Sequence, residues 1–435
     1  METARTGIDT EESVGSVRCV KEAALKAVWG FNGTERPGAV YLAAAMSAYA
    51  QKGQPAFKIY GRDVQDLDDE SIPADVQSKI LTFARGAMAV GQMQGKSYVS
   101  VGASSMGIAG SQIDVNFFNK YLDMSVEFVD MAEVLRRMKL KIYDPVTYRR
   151  ARQWIATNCH EGVDVNAGKA LADIVVRSKV VAPDEDWAFI AKQAIIMRDI
   201  LFGNPKLAAM GWEEESRGHH AIAGGFQGQR QWTDWLPNGD FTEAMLASTF
   251  DWNGCRPVTA FATENDSLNA VAMLFGTLLT NTAPIFADVR TYWSPAAVER
   301  VSGTVPTGRA KRGFLHLINS GAAALDGTAA AKDGQGRPTM KPFWEMSPAD
   351  VNACLNATDW LRANYDYFRG GGSSPHFNTA AELPVTLIQL NLLEGLGSTL
   401  LLAARLQVPL DESHHQVLSD RTDQLWLTTW FPAAL

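Results

Sequence analysis

Cysteine is scarce in this chain of 435 residues: Cys19, Cys159, Cys255 and Cys354 stand far apart, with no CxxC spacing. That pattern excludes a disulfide framework or a zinc knuckle and suits a reducing cytosol, so a cytoplasmic location is expected. Clustered positive charge is also missing, since 40 Lys and Arg face 48 Asp and Glu for a formal net charge of −8. The longest basic run, KRG at 311–313, is too short to neutralise a phosphate backbone, so no nucleic-acid partner is expected. No apolar stretch is long enough to span a bilayer, because the best one, 385–410, is interrupted by Gln389, Asn391, Glu394 and Arg405. No membrane partner follows. The N-terminal METARTGIDTEES lacks the basic start and apolar core of a secretory signal.

What remains is an ordinary globular composition, 46% hydrophobic and 20% charged, in a chain long enough for about three domains. Residues 26–53 read as a short apolar strand, a turn around Pro37 and Gly38, and an Ala-rich helix; QPAFKIYG gives the next strand. RDVQDLDDES (62–71) crowds acidic residues into one loop, which reads as solvated because the EF-hand spacing and its central Gly are absent. SYVSVGASSMGIAGSQIDVNFFNKYL (97–122) repeats strand, Gly-rich turn and helix. With no GxxxxGK[ST] and no GxGxxG in register, its glycines serve a tight turn rather than a phosphate, which disfavours a nucleotide-binding protein. From 123 to 215 apolar residues recur at three and four spacing, and beyond 300 GFLHLIN and PVTLIQLNLL alternate as strands. These patterns predict an α/β fold with parallel sheets and flanking helices in two N-terminal domains, plus a β-rich C-terminal domain.

Residues 258–293 hold the most informative pattern. VTAFAT reads as a strand, Asp266 or Ser267 as the N-cap of a helix with Leu268, Val271, Ala272, Phe275, Leu278 and Leu279 on one face, and IFADV as a following strand. A right-handed crossover within one sheet would pair the two strands in parallel and carry Glu264 and Asp288 to the same carboxyl rim, where ligands bind in open α/β sheets. Two neighbouring carboxylates repel unless a proton or cation lies between them, and oxygen donors favour Mn²⁺ or Mg²⁺. The competing reading has Glu264 facing the helix N-terminus while Asp288 pairs with Arg290 or solvent. GGFQGQRQWTDW (224–235) offers Gln227, Gln229, Arg230 and Trp232 in a Gly-flanked turn, a composition suited to binding hydroxyl groups against an aromatic face and equally consistent with surface-loop decoration. His219 and His220 read as an exposed loop, and His316, alternating in an apolar strand, as a packed, hydrogen-bonded residue.

The chain closely resembles the L-fucose isomerase family of manganese-dependent aldose–ketose isomerases. The resemblance rests on WGFNGTERPGAVYLAAA (29–45), SIPADV (71–76), GKSYVSVGASSMGIAGS (95–111), GFQGQR (225–230), FDWNG (250–254), ATENDSLN (262–269) and FADVRTYWSP (286–295). It continues through HLINSGAAALDG (316–327), PTMKP (338–342), YFRGGG (367–372) and TTWF (428–431). It implies a partial first domain at 1–99, a second at 100–279 carrying Glu264, and an incomplete C-terminal one at 280–435 carrying Asp288. Glu264 and Asp288 would be both Mn²⁺ ligands and the proton-transfer pair, with Gln227, Tyr367 and Trp426 touching the sugar. An open-chain aldose such as L-fucose or D-arabinose would become its ketose as the C2 proton moves to C1 through an enediol. A hexamer is implied as well. Relative to the family pattern, an N-terminal segment is absent and the chain stops at FPAAL, short of the histidine expected as third metal ligand; His414 and His415 do not occupy that motif. The alternative expectation is a catalytically impaired remnant serving as a sugar-binding or scaffold protein.

Overall fold

A computed structural model of the protein describes residues 25–33, 37–66, 68–103, 105–109, 112–167, 183–228, 232–319, 322–366, 368–392, 398–406 and 429–434. The contacts divide the chain into two units, Met1–Gly91 and Gln92–Leu435.

In the first unit β1 (Ala27–Gly30) and β2 (Phe57–Tyr60) pair in parallel, with Trp29 opposite Ile59. The connecting helix Gly38–Gln51 is built on alanines, which cost no side-chain entropy in a helix. Asn32 ties the strand ends together: its amide donates to the Gly61 carbonyl at 3.0 Å and accepts from the Tyr60 hydroxyl at 2.9 Å. Asp63, Asp66, Asp68, Asp69 and Glu70 are exposed, as expected of a solvated loop.

The second unit holds a four-stranded sheet of β3 (Ser97–Val101), β4 (Ser125–Val129), β6 (Ala221–Phe226) and β9 (Ala260–Ala262), in the order β4-β3-β6-β9. Every pairing is parallel. All five residues of β3 are buried, which is why SYVSV shows no polar face: helices cover a parallel sheet on both sides. The helix Pro183–Phe202 is buried on most of its circumference, with Ile190, Ile196, Met197 and Ile200 inaccessible to solvent and Asp186, Gln193 and Asp199 buried with them. It packs on β6 and on the helix Asp240–Ala247. Between them the Phe241 ring lies against Trp187, Trp252 and Trp360 at centroid distances of 5.8, 6.3 and 5.4 Å.

The remaining long strands, preceded by the short β5 (His160–Glu161) and the hairpin β7 (Phe250–Asp251) and β8 (Gly254–Cys255), form a larger mixed sheet. It comprises β10 (Asp288–Trp293), β11 (Phe314–Asn319), β12 (Asp359–Arg362), β13 (Ser373–Asn378), β14 (Pro384–Asn391), β15 (Ser398–Leu406) and β16 (Thr429–Ala434), with β5 beside β12. The β-rich character read from alternation beyond 300 is present. One expectation is corrected here. IFADV does not form a strand parallel to β9; β10 starts at Asp288, pairs antiparallel with β11, and belongs to the second sheet. The crossover rule applies to consecutive strands of one sheet, and here the chain leaves the parallel sheet after the helix Ser267–Thr280.

Among the described residues no helix is long and apolar enough to cross a membrane. Within the core, burial pushes the Asp199 carboxyl up to about 6, with Asn204 donating to it at 3.1 Å in partial compensation. The folded chain then keeps a proton that the unfolded chain loses near pH 4, so this group's contribution to stability falls as pH rises from about 4 to about 6. Asp199→Asn is expected to be more stable than wild type at pH 8 by on the order of 2 kcal/mol, a gap that closes towards pH 4 in urea melts. A gap independent of pH would refute the assignment.

Candidate functional site

β3, β6 and β9 run in parallel, so their carboxyl ends share one edge, and the loops leaving them carry Ala103, Gln227 and Glu264. β9 ends at Ala262, and the chain turns through Thr263–Asn265 before Asp266 caps the helix Ser267–Thr280, accepting from the Asn269 amide at 3.3 Å. The N-cap is as the sequence predicts. The turn itself is unusual: Glu264 and Asn265 both adopt left-handed backbone, with φ of 58° and 54°. Asn tolerates this region better than Glu, so the conformation at Glu264 costs energy that its surroundings must hold in place.

Glu264 is half-buried, and its carboxyl is pushed up to about 7, first by desolvation and then by the negative charges of Asp288, Asp266 and Asp240; Arg290 opposes them. Asp288 lies within reach of that charge although it belongs to another sheet, and its carboxylate stands 3.7 Å from the Arg290 guanidinium. Asp288 thus pairs with Arg290, and its negative charge reaches Glu264 from the second sheet.

Two acids escaped sequence reasoning. Asp240 and Glu243 lie on the helix Asp240–Ala247, buried beside the same turn. Burial raises both carboxyls; for Glu243 the charges of Asp240 and Glu264 add to it. Thr263, next to Glu264, donates from its hydroxyl to Glu243 at 2.8 Å, and the Ser374 hydroxyl donates to Asp240. The available signal was two acids three apart in the otherwise apolar DFTEAMLA, which places them on one helix face.

Gln227 is buried at the end of β6, where its side-chain oxygen accepts from the Ala103 N–H at 2.8 Å. Tyr367, Trp426, Gln229 and Arg230 lie outside the described residues. Trp232 is not a sugar platform. It is buried edge-on against Phe226 at 5.1 Å and donates its indole N–H to Pro237 at 2.7 Å. His220 is exposed beside Lys96 and His219 half-exposed beside Glu127, as loop residues. His316 is inaccessible and accepts from the Trp293 indole at 3.1 Å.

The cluster is rich in hard oxygen donors and poor in compensating positive charge, the setting that a divalent cation relieves. Glu264 and Asp288 fit such an ion in donor type. Among the described residues no group of three His, Cys, Asp or Glu is arranged to hold a metal ion. Close by, Gly225 gives the turn room: a Cβ there would lie 2.6 Å from the Asn265 side-chain oxygen and 2.7 Å from the Tyr98 hydroxyl. Gly225→Ala is expected to cost about 1–3 kcal/mol, read as a lowered denaturation midpoint. An unchanged midpoint would show that the turn is slack.

Fold and site together define an α/β protein with a strained acidic turn at the carboxyl edge of a parallel sheet, within the electrostatic reach of an acid from a second sheet. Comparison with known families gives the particular one. Residues 12–95 match the first N-terminal domain, 96–281 the second N-terminal domain and 317–435 the C-terminal domain of L-fucose isomerase. The L-fucose isomerase of Clostridium perfringens is 70% identical over 407 residues, covering 94% of this chain and 68% of the relative. Those of Bacteroides fragilis and Streptococcus pneumoniae are 57% and 55% identical, covering 93% and 94% of this chain and 68% of each relative. The chain belongs to the L-fucose isomerase family.

Proposed function

We propose that the protein is an aldose–ketose isomerase acting on an open-chain sugar, with L-fucose or D-arabinose as substrate, at the Glu264–Asp288 centre. The observation that supports this reading is Glu264 on a left-handed turn at the carboxyl edge of the parallel sheet, within the electrostatic reach of Asp288, in a chain whose curated relatives are named L-fucose isomerase. Burial and the neighbouring acids raise the Glu264 carboxyl in the metal-free chain, marking it as a group that can accept a proton, which moving hydrogen from C2 to C1 requires. Glu264 would take the C2 proton, and Asp288, across from it, would complete the transfer pair. The Gln227 amide would orient a sugar hydroxyl, with Tyr367 and Trp426 as further sugar contacts. Glu264 and Asp288 would also hold Mn²⁺, which when bound supplies Lewis-acid polarisation of the sugar oxygens.

The test is ketose formation from L-fucose and D-arabinose with Mn²⁺, and after EDTA treatment. Conversion that EDTA abolishes and Mn²⁺ restores is expected; no ketose from either aldose sinks the reading. Sugar binding without turnover is the second reading, motivated by the two-carboxylate donor set, and it predicts calorimetric binding of the aldose in a sample that produces no ketose.

A further inference from the structure

The strained turn is clamped from one side by a single side chain. Asn265 is inaccessible to solvent, as are Tyr98 and Ser100. Its side-chain oxygen accepts from the Tyr98 hydroxyl at 2.7 Å, and its amide nitrogen donates to Ser100 Oγ at 2.8 Å and to the Ala103 carbonyl at 3.2 Å. Tyr98 and Ser100 lie on β3, so all three bonds anchor the turn after β9 to the strand two places away and to the loop that follows it, past β6. Gly225 on the intervening strand is what lets the side chain through. Ala103 is a junction: its carbonyl takes Asn265, and its N–H donates to Gln227 at 2.8 Å.

We propose that Asn265 is a positioning residue for the reaction, fixing the Glu264 carboxylate relative to the Gln227 amide through its bonds to Tyr98, Ser100 and the Ala103 backbone. This rests on the isomerase reading of the same site. The backbone of Glu264 sits at φ 58°, a conformation that costs energy for a residue of this type and persists only where neighbours over-determine it. Asn265 is the adjacent residue that supplies that determination. Its bonds to Tyr98 and Ser100 are buried, where leaving either partner unsatisfied costs its full desolvation, while the bond to the Ala103 carbonyl is only partly so. Since Asn265 touches neither reacting atoms nor sugar, its loss affects how well the reacting groups are aligned more than how tightly the sugar is held, and misplacement on the scale of 1 Å costs about 10²-fold in rate.

The experiment compares wild type with Asn265→Gly, Asn265→Ala and Tyr98→Phe, measuring kcat, KM and melting temperature. Glycine accepts the left-handed backbone without strain, so Asn265→Gly removes the clamp while leaving the turn conformationally permitted. Its kcat is expected to fall about 10–100-fold with KM within about twofold. Tyr98→Phe is expected to fall less, and the double variant to be no slower than Asn265→Gly, because the two side chains act in one network. A kcat restored by glycine but not by alanine overturns the proposal, since backbone permissiveness would then be the whole requirement. Equal losses in kcat and in affinity overturn it as well. Wild type that forms no ketose refutes the isomerase reading instead. The clamp is then decided by a crystal structure of Asn265→Gly: Glu264 leaving the left-handed region supports it, and Glu264 unmoved overturns it.

Discussion

Glu264→Gln is expected to lower ketose formation by about 10²–10⁴-fold, the usual worth of a positioned acid–base group, without unfolding the protein. Glutamine keeps the size of the side chain and removes its ability to accept a proton. The same substitution is expected to stabilise the metal-free protein at pH 8. Glu264 titrates at about 7 in the folded chain against an ordinary 4.5, so the folded state holds the proton longer than the unfolded state. Its contribution to stability is therefore present below pH 4.5 and is lost as pH rises to about 7. Glutamine never ionises, so the variant escapes that loss. With Glu264 partly exposed, the gain at pH 8 in EDTA is on the order of 2 kcal/mol, shrinking towards pH 4. Loss of activity together with a pH-dependent gain in melting temperature is the expected signature. Unchanged ketose formation would remove Glu264 from the chemistry, and a variant less stable than wild type at pH 8 would mean that its charge is better compensated than the neighbouring acids suggest.

Phe241→Ala is expected to give the largest loss of stability, about 3–5 kcal/mol, the range for truncating a buried aromatic. Phe241 is inaccessible to solvent, and its ring is shared by Trp187, Trp252 and Trp360, so removal opens a cavity that three large, stiff side chains cannot collapse into. Part of the loss is the aromatic pairing itself, worth about 0.5–1.5 kcal/mol per pair. The residue sits between Asp240 and Glu243 on one short helix, so a looser helix also disturbs the acids beside Glu264. Denaturant unfolding of Phe241→Ala and Phe241→Leu checks this: leucine, which refills much of the volume, should recover most of the loss. A cost below about 1 kcal/mol for alanine would mean that the cluster repacks freely.

Much of the architecture was legible in the sequence because its signals are local. The buried strand SYVSV, the Ala-rich helix Gly38–Gln51 and the Asp266 cap each follow from propensity, periodicity or one hydrogen bond between near neighbours. The sequence points to Glu264 and Asp288 through a topology that does not occur: one parallel sheet is expected to carry both, and the structure places Asp288 at the first residue of an antiparallel strand in another. Trp232 was misread as a binding face because a Trp in a Gly-flanked turn looks the same in sequence whether it faces solvent or, as here, Phe226. Asp240 and Glu243 passed unnoticed because acids three apart on a helix ordinarily face water.

By itself the sequence determined the family, the alternation of strands and helices, and the two carboxylates on which the proposed chemistry rests. Only the tertiary structure decided that these carboxylates come from different sheets and that Glu264 stands on a left-handed turn clamped by Asn265. It also decided that two further buried acids crowd that turn. The physical reason is range. Helix caps and strand alternation are set by residues a few positions apart, whereas the charge on Glu264 and the geometry of its turn are set by Tyr98, Asp240 and Asp288, which come near it only after the sheets have formed.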